Sequence, residues 1–146
     1  MFSLRLVLML FLIGMGASIA WGQPRDTTDS SARPAQVVNR VTEAFVNGSA
    51  ERLLGPATDR VEVSLFGART FYSSAQAFYV LRDFFSNYTP RQFQVNDVTS
   101  TDVSCFLSGT YEHAESERAL QVFVRLVQQE GEAWRLHEVR IDHEAE

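Results

Sequence analysis

The chain has 146 residues, a formal net charge of −5 and thirteen basic residues, every one of them arginine. That acidic balance excludes nucleic acid as a partner, because neutralising phosphates requires a basic surface. With Cys105 as its one cysteine the chain has no internal disulfide, so its stability must come from packing.

Met1 to Gly22 carries Arg5 near the amino terminus, then an apolar run from Leu6, and closes in small residues. This is the layout of a secretory signal peptide, with cleavage expected after Ala20 or Gly22. An uncleaved anchor is the rival, since Leu6 to Trp21 approaches the shortest span that crosses a bilayer. Loss of Arg5 moves the formal charge to −6. The remainder is expected to be exported, periplasmic or secreted, with no membrane contact after cleavage.

Residues 23–33, "QPRDTTDSSAR", lack apolar periodicity and are expected to form a flexible linker. A single α+β domain is expected over 34–143, followed by a tail at 144–146. Pro34 suits the first turn of a helix, and Val37, Val38, Val41, Ala44 and Phe45 recur at helical spacing. Asn47-Gly48 ends it. A short helix follows, capped by Ser49, anchored by Leu53 and Leu54 and stopped by Gly55-Pro56. Val61, Val63 and Leu65 alternate with polar residues as a strand, and Gly67 turns the chain into "RTFY".

Residues 71–90 hold seven aromatic rings. Ser73 and Gln76 have the spacing of a capping box, so a helix starts there. At 100° per residue it gathers Ala77, Phe78, Leu81, Phe84, Phe85 and Tyr88 on one side, a core-facing stripe. Four strands are then expected, over 92–99, 104–113, 119–128 and 133–142, the last three as antiparallel hairpins. Two of them break their own alternation. Phe93 and Val95 are out of phase with Val98, and Trp134 and Leu136 with Val139 and Ile141, which predicts a bulge in each and a strongly curved antiparallel sheet with the helices on its concave face.

This order of elements, with "YSSAQAFYVLRDFF" as the helix and "WRLHEVRID" as the closing strand, resembles the nuclear transport factor 2-like (cystatin-like) fold. Within it the chain is similar to a family of small exported proteins, mainly from Bacteroidetes-type bacteria, known only as a domain of unknown function. The matching residues are Val61, Val63 and Leu65, Tyr72 to Gln76, Leu81, Asp83, Phe84 and Phe85, and Leu136, Val139, Arg140 and Ile141. The resemblance implies a cone of curved sheet wrapped on about three helices, and dimerisation through the sheet is common in that fold. It brings no activity with it.

The wider superfamily includes ketosteroid isomerases and scytalone dehydratase, so an interior acid-base site is the test. This chain departs from the isomerase pattern: its first helix has no tyrosine, and Asp83 falls on the polar side of its helix. Glu138 and Arg140 lie two apart on the last strand, where surface pairing explains them. Phe85, Tyr88, Tyr111, Trp134, Glu138 and Arg140 form the candidate ligand pocket at the mouth of the cone. "HEVRIDHE" fails as a zinc motif, because the fifth position is Ile141, and His137 and His143 are six apart. His113 reads as part of a solvated acidic turn, and Cys105 as a small buried apolar residue. No cofactor, metal or catalytic residue is expected. The leading expectation is a non-catalytic exported domain that binds a small apolar ligand or an envelope protein, or pairs as a homodimer. The alternative is a small isomerase or dehydratase with an acid-base site inside the cone.

Overall fold

The computed structural model describes residues 29–55, 57–129 and 133–145. The expected signal peptide at 1–22, the start of the expected linker and Glu146 lie outside them. Three helices and six strands follow in order: α1 (Asp29–Asn47), α2 (Ala50–Leu54), β1 (Ala57–Leu65), β2 (Ala68–Ser73), α3 (Ser74–Asn87), β3 (Pro90–Ser100), β4 (Ser104–His113), β5 (Ser116–Val127) and β6 (Arg135–His143). One sheet contains every strand, in the order β2-β1-β6-β5-β4-β3.

The first helix starts at Asp29, so Pro34 sits inside it rather than at its head. A proline there forgoes one backbone bond, to the carbonyl four residues back, and its fixed φ still suits the helix. The last turn ends at Gly48, whose φ of +61° is the left-handed geometry glycine tolerates. Ser49 caps α2, its hydroxyl accepting from the Arg52 N–H at 3.1 Å. At the head of α3 the capping box is complete: the Gln76 N–H donates to Ser73 Oγ and the Ser73 N–H donates to Gln76 Oε1.

The sheet is mixed rather than wholly antiparallel, because β6 pairs antiparallel with β5 but parallel with β1. Both expected bulges are present. Asn96 is the extra residue of β3, between the pairs Val95↔Gly109 and Asp97↔Ser108. His137 is that of β6, between Leu126↔Leu136 and Arg125↔Glu138. Each restores an apolar residue to the inner face, and the added twist curves the sheet around the helices.

The core lies between that inner face and the helices. Val37, Val41, Ala44 and Phe45 from α1, Leu53 and Leu54 from α2, and Ala77, Leu81, Phe84 and Phe85 from α3 are all buried. They meet Val61, Val63, Leu107, Tyr111, Val122, Val124, Leu136, Val139 and Ile141 of the sheet. Each large side chain taken from water contributes about 1.5–3 kcal/mol, so this layer dominates the stability. Phe78 and Tyr88, at the edges of the α3 stripe, are only partly buried.

Candidate functional site

Inside the cone the space is filled by rings. Phe45 stacks on Phe93 at 4.7 Å and meets Phe85 at 5.6 Å and Tyr111 at 5.8 Å, while Phe84 stacks on Tyr88 at 5.0 Å. Gly109 makes room for this: a Cβ there would lie 2.5 Å from Phe93 Cζ, so the Phe93 ring covers bare backbone. The Tyr111 hydroxyl donates to the Tyr88 carbonyl at 2.5 Å. Burial, with a smaller push from the Glu115 charge, raises the Tyr111 phenol far above its ordinary value and keeps it protonated. Among the described residues the buried polar ones are Glu62, Ser64 and His113, and neither Glu62 nor Ser64 faces the interior. The carboxylate that acts on Tyr111 is Glu115, which sits at the rim, where Thr89 and His113 engage it.

At the rim a cleft opens between the end of α3, the β4–β5 hairpin and the end of β6. Tyr88, His113, Glu115, Ser116, Arg118 and His143 line a cavity of about 340 Å³. Its floor is tied down: the Ala114 N–H donates to the Thr89 carbonyl at 2.9 Å, and Glu115 Oε2 accepts from the Thr89 N–H at 3.0 Å. His113 Nδ1 lies 3.2 Å from the same carboxylate oxygen, and the His113 ring meets Tyr88 edge-on at 5.1 Å.

The outer face of the sheet is organised in rows that cross all six strands. One runs Phe71, Glu62, Glu138, Arg125, Phe106 and Thr99; the next runs Arg69, Ser64, Arg140, Phe123, Ser108 and Asp97. Three phenylalanines stand here in water, Phe71 at 50%, Phe106 at 45% and Phe123 at 38% exposure. Each lies under a guanidinium: Arg140 is 4.3 Å from the Phe123 centroid, Arg125 5.3 Å from Phe106 and Arg60 6.0 Å from Phe71. Arg69 contacts Glu62 and reaches Glu138 at 3.9 Å, and Arg140 pairs with Asp142 at 3.4 Å.

Of the candidate pocket residues, the structure brings together Phe85, Tyr88 and Tyr111. Trp134 lies elsewhere, lining a small recess with Pro34, Ser100, Thr101, Asp102 and Gln128. Glu138 and Arg140 belong to the outer face, because the His137 bulge switches them away from the side Leu136 occupies. His113 is buried, 3% exposed, and not part of a solvated turn. The signal for this was in the strand itself: Cys105, Leu107, Gly109, Tyr111 and His113 continue one alternation. Cys105 is buried as expected, and burial pushes its thiol up. Among the described residues no cluster of three or more histidine, cysteine or acidic side chains is arranged for a metal ion, and no helix is long and apolar enough to cross a membrane.

The sequence profile of the family described as Domain of unknown function (DUF4783) matches residues 38–142. No curated protein matches the chain. Among solved structures, a DUF4783 family protein from Bacteroides ovatus is 26% identical, with a TM-score of 0.67, covering 73% of this chain and 94% of its own. One from Bacteroides uniformis is 25% identical with the same TM-score, covering 74% and 97%. A nuclear transport factor 2-like protein of unknown function from Silicibacter pomeroyi shares the fold at 15% identity and a TM-score of 0.56, covering 78% and 95%. The architecture is thus the α+β fold expected, a curved sheet packed against three helices.

Proposed function

We propose, from the premise that this chain belongs to the DUF4783 family of domains of unknown function, that it is a non-catalytic exported domain that binds a partner protein through the outer face of its sheet. The observation that carries this reading is the trio Phe71, Phe106 and Phe123, which remain in water while the rings inside the cone are packed away. Exposed aromatics beside arginines are the residue types that anchor protein interfaces. Charged neighbours of both signs, Arg69 and Arg140 with Glu62 and Glu138, set register and keep the face soluble until a partner covers it. The export half of the reading rests on the leader at Met1 to Gly22.

A small apolar ligand inside the cone has less support, since Phe45, Phe84, Phe85 and Phe93 already occupy that volume. An isomerase or dehydratase has less still, because the Tyr111 hydroxyl is held by a backbone carbonyl and Glu138 lies on the other face.

Photo-crosslinking in the producing cell tests the proposal. A photoreactive phenylalanine at Phe106 or Phe123 should give discrete protein adducts outside the cytoplasm, and the same probe at Tyr79 on α3 should not. An adduct of twice the chain mass identifies the partner as a second copy. Equal labelling at all three positions, or none, would overturn the assignment of the outer face.

A further inference from the structure

We propose that the rim cleft between the end of α3, the β4–β5 hairpin and the end of β6 is a binding site for a small organic ammonium ion, received by the Nε2 atom of His113. This site is separate from the outer sheet face and stands or falls independently of it.

The first ground is the state of the imidazole. His113 is buried, yet its ring lines the cavity. Glu115 is held ionised: hydrogen bonds from Thr89, and a further one from His113, hold its carboxyl below the usual range, against a smaller opposing effect of desolvation. An ionised carboxylate only accepts, so the 3.2 Å contact requires the proton to be on His113 Nδ1. In the neutral ring that leaves a lone pair on Nε2. That lone pair is an acceptor in a ring on the wall of the cleft, and it suits a ligand that brings a donor.

The second ground is charge. A further recess of about 390 Å³ adjoins the cleft, sharing Arg118 and His143 with it and adding Glu117, Ala119, Glu144 and Ala145. Across the two recesses Glu115, Glu117 and Glu144 set three carboxylates against the one guanidinium of Arg118. The carboxyl end of α3, at Tyr88, adds the negative pole of a 14-residue helix. A cation gains from this field and a carboxylate does not.

The third ground is shape. The Tyr88 and His143 rings form the wall, and Phe66 supports both, at 5.3 Å from Tyr88 and 4.7 Å from His143. Aromatic faces beside carboxylates suit an ammonium group on a short apolar body, since the ring quadrupole attracts the charge and the ring surface takes the rest.

The test uses 2-phenylethylammonium as probe and 3-phenylpropionate as its anionic counterpart. In isotope-labelled protein, long-range proton–nitrogen correlations recorded on the neutral imidazole should place the His113 proton on Nδ1, facing Glu115. The ammonium probe should shift His113, Ser116 and His143 resonances saturably, and the carboxylate should not. His113→Phe should weaken the probe about tenfold, the loss of one charge-assisted hydrogen bond. Glu117→Gln, at an exposed position that leaves folding intact, should weaken it by about twofold to threefold through the field alone. An Nε2–H tautomer, no saturable shift with the ammonium, equal binding of 3-phenylpropionate, or an affinity unchanged in Glu117→Gln would each overturn the assignment.

Discussion

The Tyr111 hydroxyl donates to the Tyr88 carbonyl, so β4 holds the C-cap residue of α3 by a single part-buried bond. Tyr111→Phe keeps the ring packing but strands that carbonyl, at an expected cost of about 1–3 kcal/mol at neutral pH, read from denaturant unfolding. The same phenol makes stability fall in alkali. Its folded value is raised, so the folded state keeps a proton that the unfolded chain releases above about pH 10. Stability is therefore whole below that pH and declines as pH rises beyond it, and Tyr111→Phe should flatten this decline. An equally steep decline in the variant would show that another group is responsible.

Gly109 is required by Phe93 rather than by its own backbone angles. Gly109→Ala places a methyl against both the Phe93 ring and the Gln94 carbonyl, the latter at 2.8 Å. Overpacking of this kind costs about 1–3 kcal/mol. Made together with Phe93→Leu, the alanine should cost distinctly less than it does alone, and strict additivity in a double-mutant cycle would count against the contact.

Ser73→Ala removes one half of the capping box and leaves the Gln76 N–H without its partner. A loss of about 1 kcal/mol is expected. The unfolding midpoint measures it, and Ser73→Asp, which restores an acceptor at the same place, should recover most of the loss.

Acid should loosen the rim before the core. The Glu115 carboxyl is held down by its bonds from Thr89 and His113, so its contribution is present above the ordinary carboxylate range. It is lost as pH falls through the depressed value. Amide exchange at Thr89 and Ala114 should speed up there, and in Glu115→Gln it should already be fast at neutral pH and insensitive to acid.

Much of this fold was legible in local pattern. Phase breaks at Val95/Val98 and Leu136/Val139 gave both bulges, and Ser73-x-x-Gln76 gave the start of α3, because each depends on residues a few positions apart. The parallel pairing of β1 with β6 was not legible, since alternation shows which face a residue takes but not which strand lies beside it. The site fared worse for the same reason. Helix phase brings Phe85 and Tyr88 to one side and the structure sets both against Tyr111, whereas Glu138 and Arg140 turn outward because the bulge beside them shifts the alternation. The acidic neighbours of His113 mask its place, although the alternation running through Tyr111 carries one step further to it.

The place of β6 between β1 and β5 has a consequence for how the molecule is made. Until residues 135–143 arrive, the β1–β2 ribbon has no seat in the sheet, and the meander of β3, β4 and β5 stands apart from it. A nascent polypeptide emerging amino end first must hold these halves unjoined, because its final strand is the keystone. Without residues 135–143 the two halves have no common edge, so loss of this last strand would divide the sheet rather than merely shorten it.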